Sequence, residues 1–235
     1  MAGDLATIEM IARQQIEVCE RVVSRGCTWA ISTWDLLPTG GGTGMRRTVT
    51  CAVRFELEPP GAFEGQSAAH LALHLAQAGR VEEAVAIAEE RFKGRPPPAR
   101  SHTLGNLNTV FVLSETLYLA VRPEAPAALY GWFEETLAKG IGWITFDCRL
   151  METRAGISAA AARRWQEAEA HFQRALELAV ALPHHIEQAD VRRFYSRTLL
   201  DRDAAGDRQR ARELLTEAID EYRSIGMSCH VERAG

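Results

Sequence analysis

The chain has 235 residues, 46% of them apolar and 25% charged, with a formal net charge of -4. That supply of apolar residues suffices to bury a continuous core in one domain or one repeat array, and it excludes a disordered chain. The slight negative balance lacks the basic footprint of a phosphate-backbone binder, so direct nucleic-acid binding is not expected.

No apolar run approaches the roughly 20 residues that a spanning helix needs, and Met1-Ala-Gly-Asp-Leu5 has no basic region leading into an apolar one. A cytoplasmic protein without a membrane role is expected. Cys19, Cys27, Cys51, Cys148 and Cys229 are odd in number and scattered, which suits reduced, incidental thiols.

In chain order, Leu5, Ile8, Ile11, Ala12, Ile16, Cys19, Val22 and Val23 keep helical spacing, and Gly26 supplies a stop, so residues 1–26 read as an N-terminal helix. Residues 27–65 differ from their surroundings. Thr28 to Trp34 is strand-like, and Pro38 to Gly44 is a glycine-rich loop. Val49, Cys51, Val53, Phe55 and Leu57 then alternate with Thr48, Thr50, Ala52, Arg54 and Glu56. This stretch reads as a β-hairpin or an irregular insertion, closed by Pro59-Pro60-Gly61, and its role is open.

From residue 66 onward the pattern predicts helical hairpins in series. Ser67 to Ala78 and Val81 to Phe92 flank Gly79, and Pro96-Pro97-Pro98 ends the pair because successive prolines lack donors. A strongly apolar helix begins at about Leu104. Pro123 and Pro126 suit the first turn of the next helix, whose core is Leu129, Trp132, Phe133 and Leu137. Gly140 and Gly142 interrupt before Trp143. In Arg163 to Val180, Ala168, Phe172, Ala175, Leu176 and Ala179 form one apolar stripe, and Gly156 on the preceding helix lets that stripe come close. The last hairpin runs from about Ile186 to Asp203 and from Asp207 to Ile225, with Asp207 as N-cap, Gly226 as the C′ residue and Ala211, Leu215 and Ala218 as its stripe.

A small residue on one helix, then Ala, a large apolar residue and Ala on the next, is the spacing of the tetratricopeptide repeat; Ala84, Ala127, Ala168 and Ala211 recur at a period of about 42 against roughly 34 for the minimal unit. Leu75 to Ala84, Asp147 to Leu150, Ala159 to Glu169, Ala181 to Ala189, Arg193 to Arg202 and Gly206 to Leu215 resemble the C-terminal tetratricopeptide-like region of multidomain bacterial signalling proteins. Those proteins join a class III nucleotide cyclase, or a helix-turn-helix regulator, to an AAA-type ATPase and then to such repeats. The resemblance implies an all-α helical-hairpin solenoid over residues 66–235 and a regulatory, partner-sensing role without cyclase or ATPase activity. An array of this kind would normally continue past Gly226, so the chain reads as either a complete protein or a fragment of a larger regulator.

The chemistry-bearing candidates are sparse. Gly40-Gly-Gly-Thr-Gly-Met-Arg-Arg47 lacks the Lys-Ser/Thr pair of a phosphate loop. His70 and His74 share a helix face without a third ligand or an HExxH glutamate, and His184-His185 reads as a helix start. Glu89-Glu90 and Glu134-Glu135 read as solvated faces. Hence no enzyme activity, cofactor or metal is expected. Stacked hairpins leave a concave groove for a peptide or partner helix, and the repeat pattern directs Asp190, Arg193, Arg197 and Asp201 toward it, with Asn106, Asn108 and Thr153 as weaker candidates. Arg193 and Arg197 would meet a ligand's carboxylates there or pair with Asp190 and Asp201. The expected function is protein or peptide recognition by a scaffold or regulatory module, with a homodimer one arrangement open to it. The alternative is a sensor taking a small effector in the same groove.

Overall fold

The structure is a computed structural model and describes residues 65–77, 79–93, 104–143, 149–227 and 230–231. The expected N-terminal helix, the 27–65 insertion up to its last residue, including the glycine-rich loop, and all five cysteines lie outside the described residues.

The described part is all-α. Its helices are α1 (Gln66–Gln77), α2 (Val81–Phe92), α3 (Leu104–Leu119), α4 (Glu124–Ala128), α5 (Tyr130–Ala138), α6 (Met151–Ala161), α7 (Trp165–Ala181), α8 (His185–Arg202) and α9 (Asp207–Ser224). Among the described residues there is no strand, only an isolated antiparallel bridge between Trp143 and Leu150. Short turns fold α1 against α2, α6 against α7 and α8 against α9. Each pair also lies against its neighbours in chain order: α1 and α2 meet α3, α4 and α5 meet α6, and α7 meets α8. No described helix is long and apolar enough to cross a membrane.

The α6–α7 seam has the form that the stripe predicts. Ala168, Phe172, Ala175 and Ala179 are fully buried, and the Phe172 ring lies so close to α6 that a Cβ on Gly156 would sit 2.7 Å from its Cε1. Only hydrogen fits at that point of α6. The same ring stacks on Tyr195 of α8 at 5.7 Å between centroids, so one aromatic joins three helices. Phe194, Leu199, Ala211 and Leu214 continue the same core onto α8 and α9. Helix α3 is buried nearly all round because α1 and α2 cover one side and α4 and α6 the other. Its buried Thr109 and Thr116 donate their hydroxyls to the carbonyls of Gly105 and Val112, four residues back.

Three local expectations are corrected. The helix expected after Pro123 is two, α4 and α5, because the Leu129 amide reaches the Pro126 carbonyl at 3.1 Å in a tighter turn. The N-cap of α9 is Gly206, at φ +88°, and Asp207 is the first helical residue. The left-handed glycine turns the chain so that Asp207 points back, where its carboxylate accepts the Ala204 amide at 2.8 Å and the Arg202 guanidinium at 2.8 and 2.6 Å. The large residue of the α9 stripe is Leu214, with Leu215 only half-buried. Gly226, at φ +75°, does follow the α9 C-cap as expected.

Candidate functional site

The densest group of charged side chains centres on Arg149, in the extended backbone leading into α6. Its guanidinium donates to Glu187 Oε2 at 3.0 Å and Asp190 Oδ2 at 2.9 Å, both on α8. Its Nε lies 3.1 Å from Glu115 Oε2 on α3. The Arg149 side chain is 13% exposed, and the three carboxylates are more buried still. One cation thus ties α3 and α8 to the start of α6.

Helix α6 has no capping side chain of its own, since its N-cap is Leu150. Glu187 performs the task from another helix: its Oε1 accepts the Leu150 amide at 3.0 Å and the Thr153 hydroxyl at 2.6 Å. A carboxylate there satisfies an otherwise orphaned donor and meets the positive end of the helix dipole. Asp190 Oδ1 accepts a short hydrogen bond from the Tyr222 hydroxyl of α9 and lies 3.7 Å from Arg193 Nη2. Arg149 and Arg193 both face the Phe194 ring, at 5.5 and 4.7 Å from its centroid.

This environment separates the two acids on α8. Burial works against the Asp190 carboxylate, but Arg149, Arg193 and His230 with the Tyr222 hydrogen bond outweigh it and hold its pKa below the ordinary value. Burial pushes Glu187 up, aided by the Asp190 charge, and Arg149, Thr153 and Leu150 only partly offset that. Burial and the Asp190 charge also keep the Tyr222 hydroxyl protonated well above its usual range. Of these two acids on α8, Glu187 is therefore the one that takes up a proton first as the pH falls.

The pH dependence follows from those directions. A carboxylate with a lowered pKa stabilises the fold above its unfolded value of about 3.9 and loses that contribution as pH falls through the folded one. A carboxylate with a raised pKa does the reverse, so protonating Glu187 in mild acid costs the fold nothing. Urea midpoints are therefore expected to hold level or rise slightly from pH 7 to pH 5, and to fall only below about pH 4. A midpoint that declines steadily from pH 7 would contradict this order of protonation.

Of the groove residues expected from the sequence, the structure brings Thr153, Asp190 and Arg193 into this network. Arg197 lies one turn further along α8, over the Tyr118 ring at 5.0 Å, donating to the Leu119 carbonyl at 3.3 Å and 3.9 Å from Asp201. The ion pairs of Arg193 and Arg197 at 3.7 and 3.9 Å are longer than hydrogen bonds, and these side chains keep 17% and 29% exposure. Asn106 is half-buried, whereas Asn108 is 1% exposed with neither amide atom hydrogen-bonded among the described residues. His70 Nδ1 lies 2.8 Å from the Gln66 carbonyl of its own helix, and His184 caps α8 by accepting the Glu187 amide.

Sequence reasoning missed Arg149, Glu115, Glu187 and Tyr222. The one available signal was charge inside otherwise apolar helical faces, at Glu115 above all. Comparisons with family models, curated proteins and solved structures found no match to the chain.

Proposed function

We propose that this chain is a tetratricopeptide-like helical-hairpin module that acts without catalysis, holding a protein or peptide partner for a bacterial signalling or transcription-regulating system in the cytoplasm. The stacking of hairpins in chain order and the seating of Phe172 on Gly156 support the architecture. The observation that carries the recognition is the Arg193–Arg197 pair. These guanidiniums sit one helical turn apart, each propped on an aromatic ring, each with an ion pair too long to use its donors. Carboxylates of a partner would meet those donors and give charge-assisted hydrogen bonds.

The test is affinity capture with the intact chain and with Arg193→Ala/Arg197→Ala. Losing hydrogen bonds to a charged group costs about 1.5–3 kcal/mol each, so affinity for the captured partner is expected to drop about 10- to 100-fold per arginine. Equal affinity for both proteins would overturn this reading. A melting temperature raised by small metabolites, with no partner captured, would favour the effector sensor instead.

A further inference from the structure

The turns between α1 and α2, α3 and α4, α6 and α7, and α8 and α9 each hold a residue in the left-handed region: Gly79, Val121, Arg163 and Gly206, spaced 42, 42 and 43 residues apart. Glycine takes that backbone freely, whereas a β-branched residue there is a steric outlier. Val121, at φ +59°, is thus strained where glycine would relieve it, and its side chain is 70% exposed. Burial within this fold does not account for the valine.

The chain just before Val121 touches the exposed face of α8. Arg197 on that face donates to the carbonyl of Leu119, two residues before Val121, and its guanidinium lies over the Tyr118 ring. One turn beyond Arg197, Leu200 is 50% exposed. One turn before it stands Arg193, whose Nε is buried with no hydrogen-bond partner among the described residues. Along α8 the face therefore presents two guanidiniums and then an aliphatic end made by Leu200 and Val121. Asp201 at that end, 3.9 Å from Arg197, repels a further carboxylate. A partner is thus favoured with acid over the arginines and apolar surface beyond them.

We propose that the partner received at Arg193 and Arg197 is an acidic amphipathic helix lying antiparallel to α8, with an aliphatic side chain packed on Val121 and Leu200; this rests on the reading of those arginines as partner-binding. The middle of α8 presents side chains and no free backbone groups, so a partner that satisfies its own backbone donors and acceptors, a helix, suits it. The antiparallel direction sets the positive N-terminal end of the partner against the C-terminal ends of α3 and α8. Arg197 and Arg193 stand three and seven residues before Leu200, about 4.5 and 10.5 Å along the helix axis. The matching motif is an aliphatic residue followed by acids three and seven places later.

The test is fluorescence anisotropy with the full-length protein and a labelled, alanine-based helical peptide carrying leucine at one place and glutamates three and seven places later. Saturable binding is expected, weakened about 10-fold or more by leucine-to-serine in the peptide, by Leu200→Ser and by Val121→Gly. Val121→Gly relieves the left-handed backbone, so it is expected to hold or raise the melting temperature, and its weaker binding is then not a loss of fold. Affinity that needs the glutamates but ignores the peptide's leucine, Leu200→Ser and Val121→Gly overturns this inference and leaves the arginine reading standing. Affinity that survives glutamine at both acidic places overturns the arginine reading, and this one with it. No binding of the peptide overturns the helical partner alone, since the capture experiment with Arg193→Ala/Arg197→Ala decides the arginine reading separately.

Discussion

Arg149→Met is expected to lower stability by about 3–5 kcal/mol at pH 7, the scale found when one partner of a buried ion pair is removed. Methionine fills comparable space, so the loss measures charge and hydrogen bonding more than a cavity. Without the guanidinium, Glu115, Glu187 and Asp190 face one another inside the fold, with Arg193 the remaining cation, and its contact to Asp190 is long. The readout is the urea midpoint followed by circular dichroism. Glu187→Gln placed in the Arg149→Met background is expected to restore part of the loss by removing one of the carboxylates left facing each other. Groups that share a network do not add independently. A loss below about 1 kcal/mol for Arg149→Met would mean that the carboxylates turn to water at little cost, and the network would then not be what holds α6 to α8.

The second large effect lies at the α6–α7 seam. Phe172→Ala is expected to cost about 3–5 kcal/mol, as emptying a fully packed aromatic site does. The opposite change, Gly156→Ala, is expected to cost about 1–3 kcal/mol, although alanine favours helix over glycine by about 1 kcal/mol. The reason is the 2.7 Å approach of the Phe172 ring, which is fully buried and stacked on Tyr195 and so has little room to yield. In a Phe172→Leu background the smaller side chain makes room, and Gly156→Ala should become neutral or stabilising. A thermal-melt double-mutant cycle reads this as a coupling between the two positions. Gly156→Ala tolerated in the wild-type background would show that the two helices can part at no cost, and it would remove the main support for the hairpin architecture.

Much of the helical layout was legible from residue order. The starts of α2 at Val81 and of α3 at Leu104 coincide with the onset of apolar periodicity, and Gly79 and Gly226 take the left-handed turns that their positions imply. What failed did so where two local solutions lie close in energy. The choice between Leu214 and Leu215 turns on which of them the facing helix covers, and that between one helix and two after Pro123 on the tighter turn at Leu129.

The candidate site was legible only in part, and the residues say why. Thr153, Asp190, Arg193 and Arg197 carry positions in a helical repeat, so periodicity can assign them a common side. Arg149 lies just before a helix, and its contacts to Glu115, Glu187 and Asp190 span 34, 38 and 41 residues of chain. No local spacing relates groups so far apart, and Glu187, a first-turn acid of its own helix, caps a different one.

Sequence by itself determined most of the helical layout among the described residues and the one seam at which Phe172 meets Gly156, because a side chain's size and spacing act on neighbours within a few turns. The tertiary structure alone decided which charges are buried and that Glu187 holds its proton above the ordinary range while Asp190 gives its own up below it. Those properties come from the field of several helices at one point, and that field exists only once the hairpins have stacked.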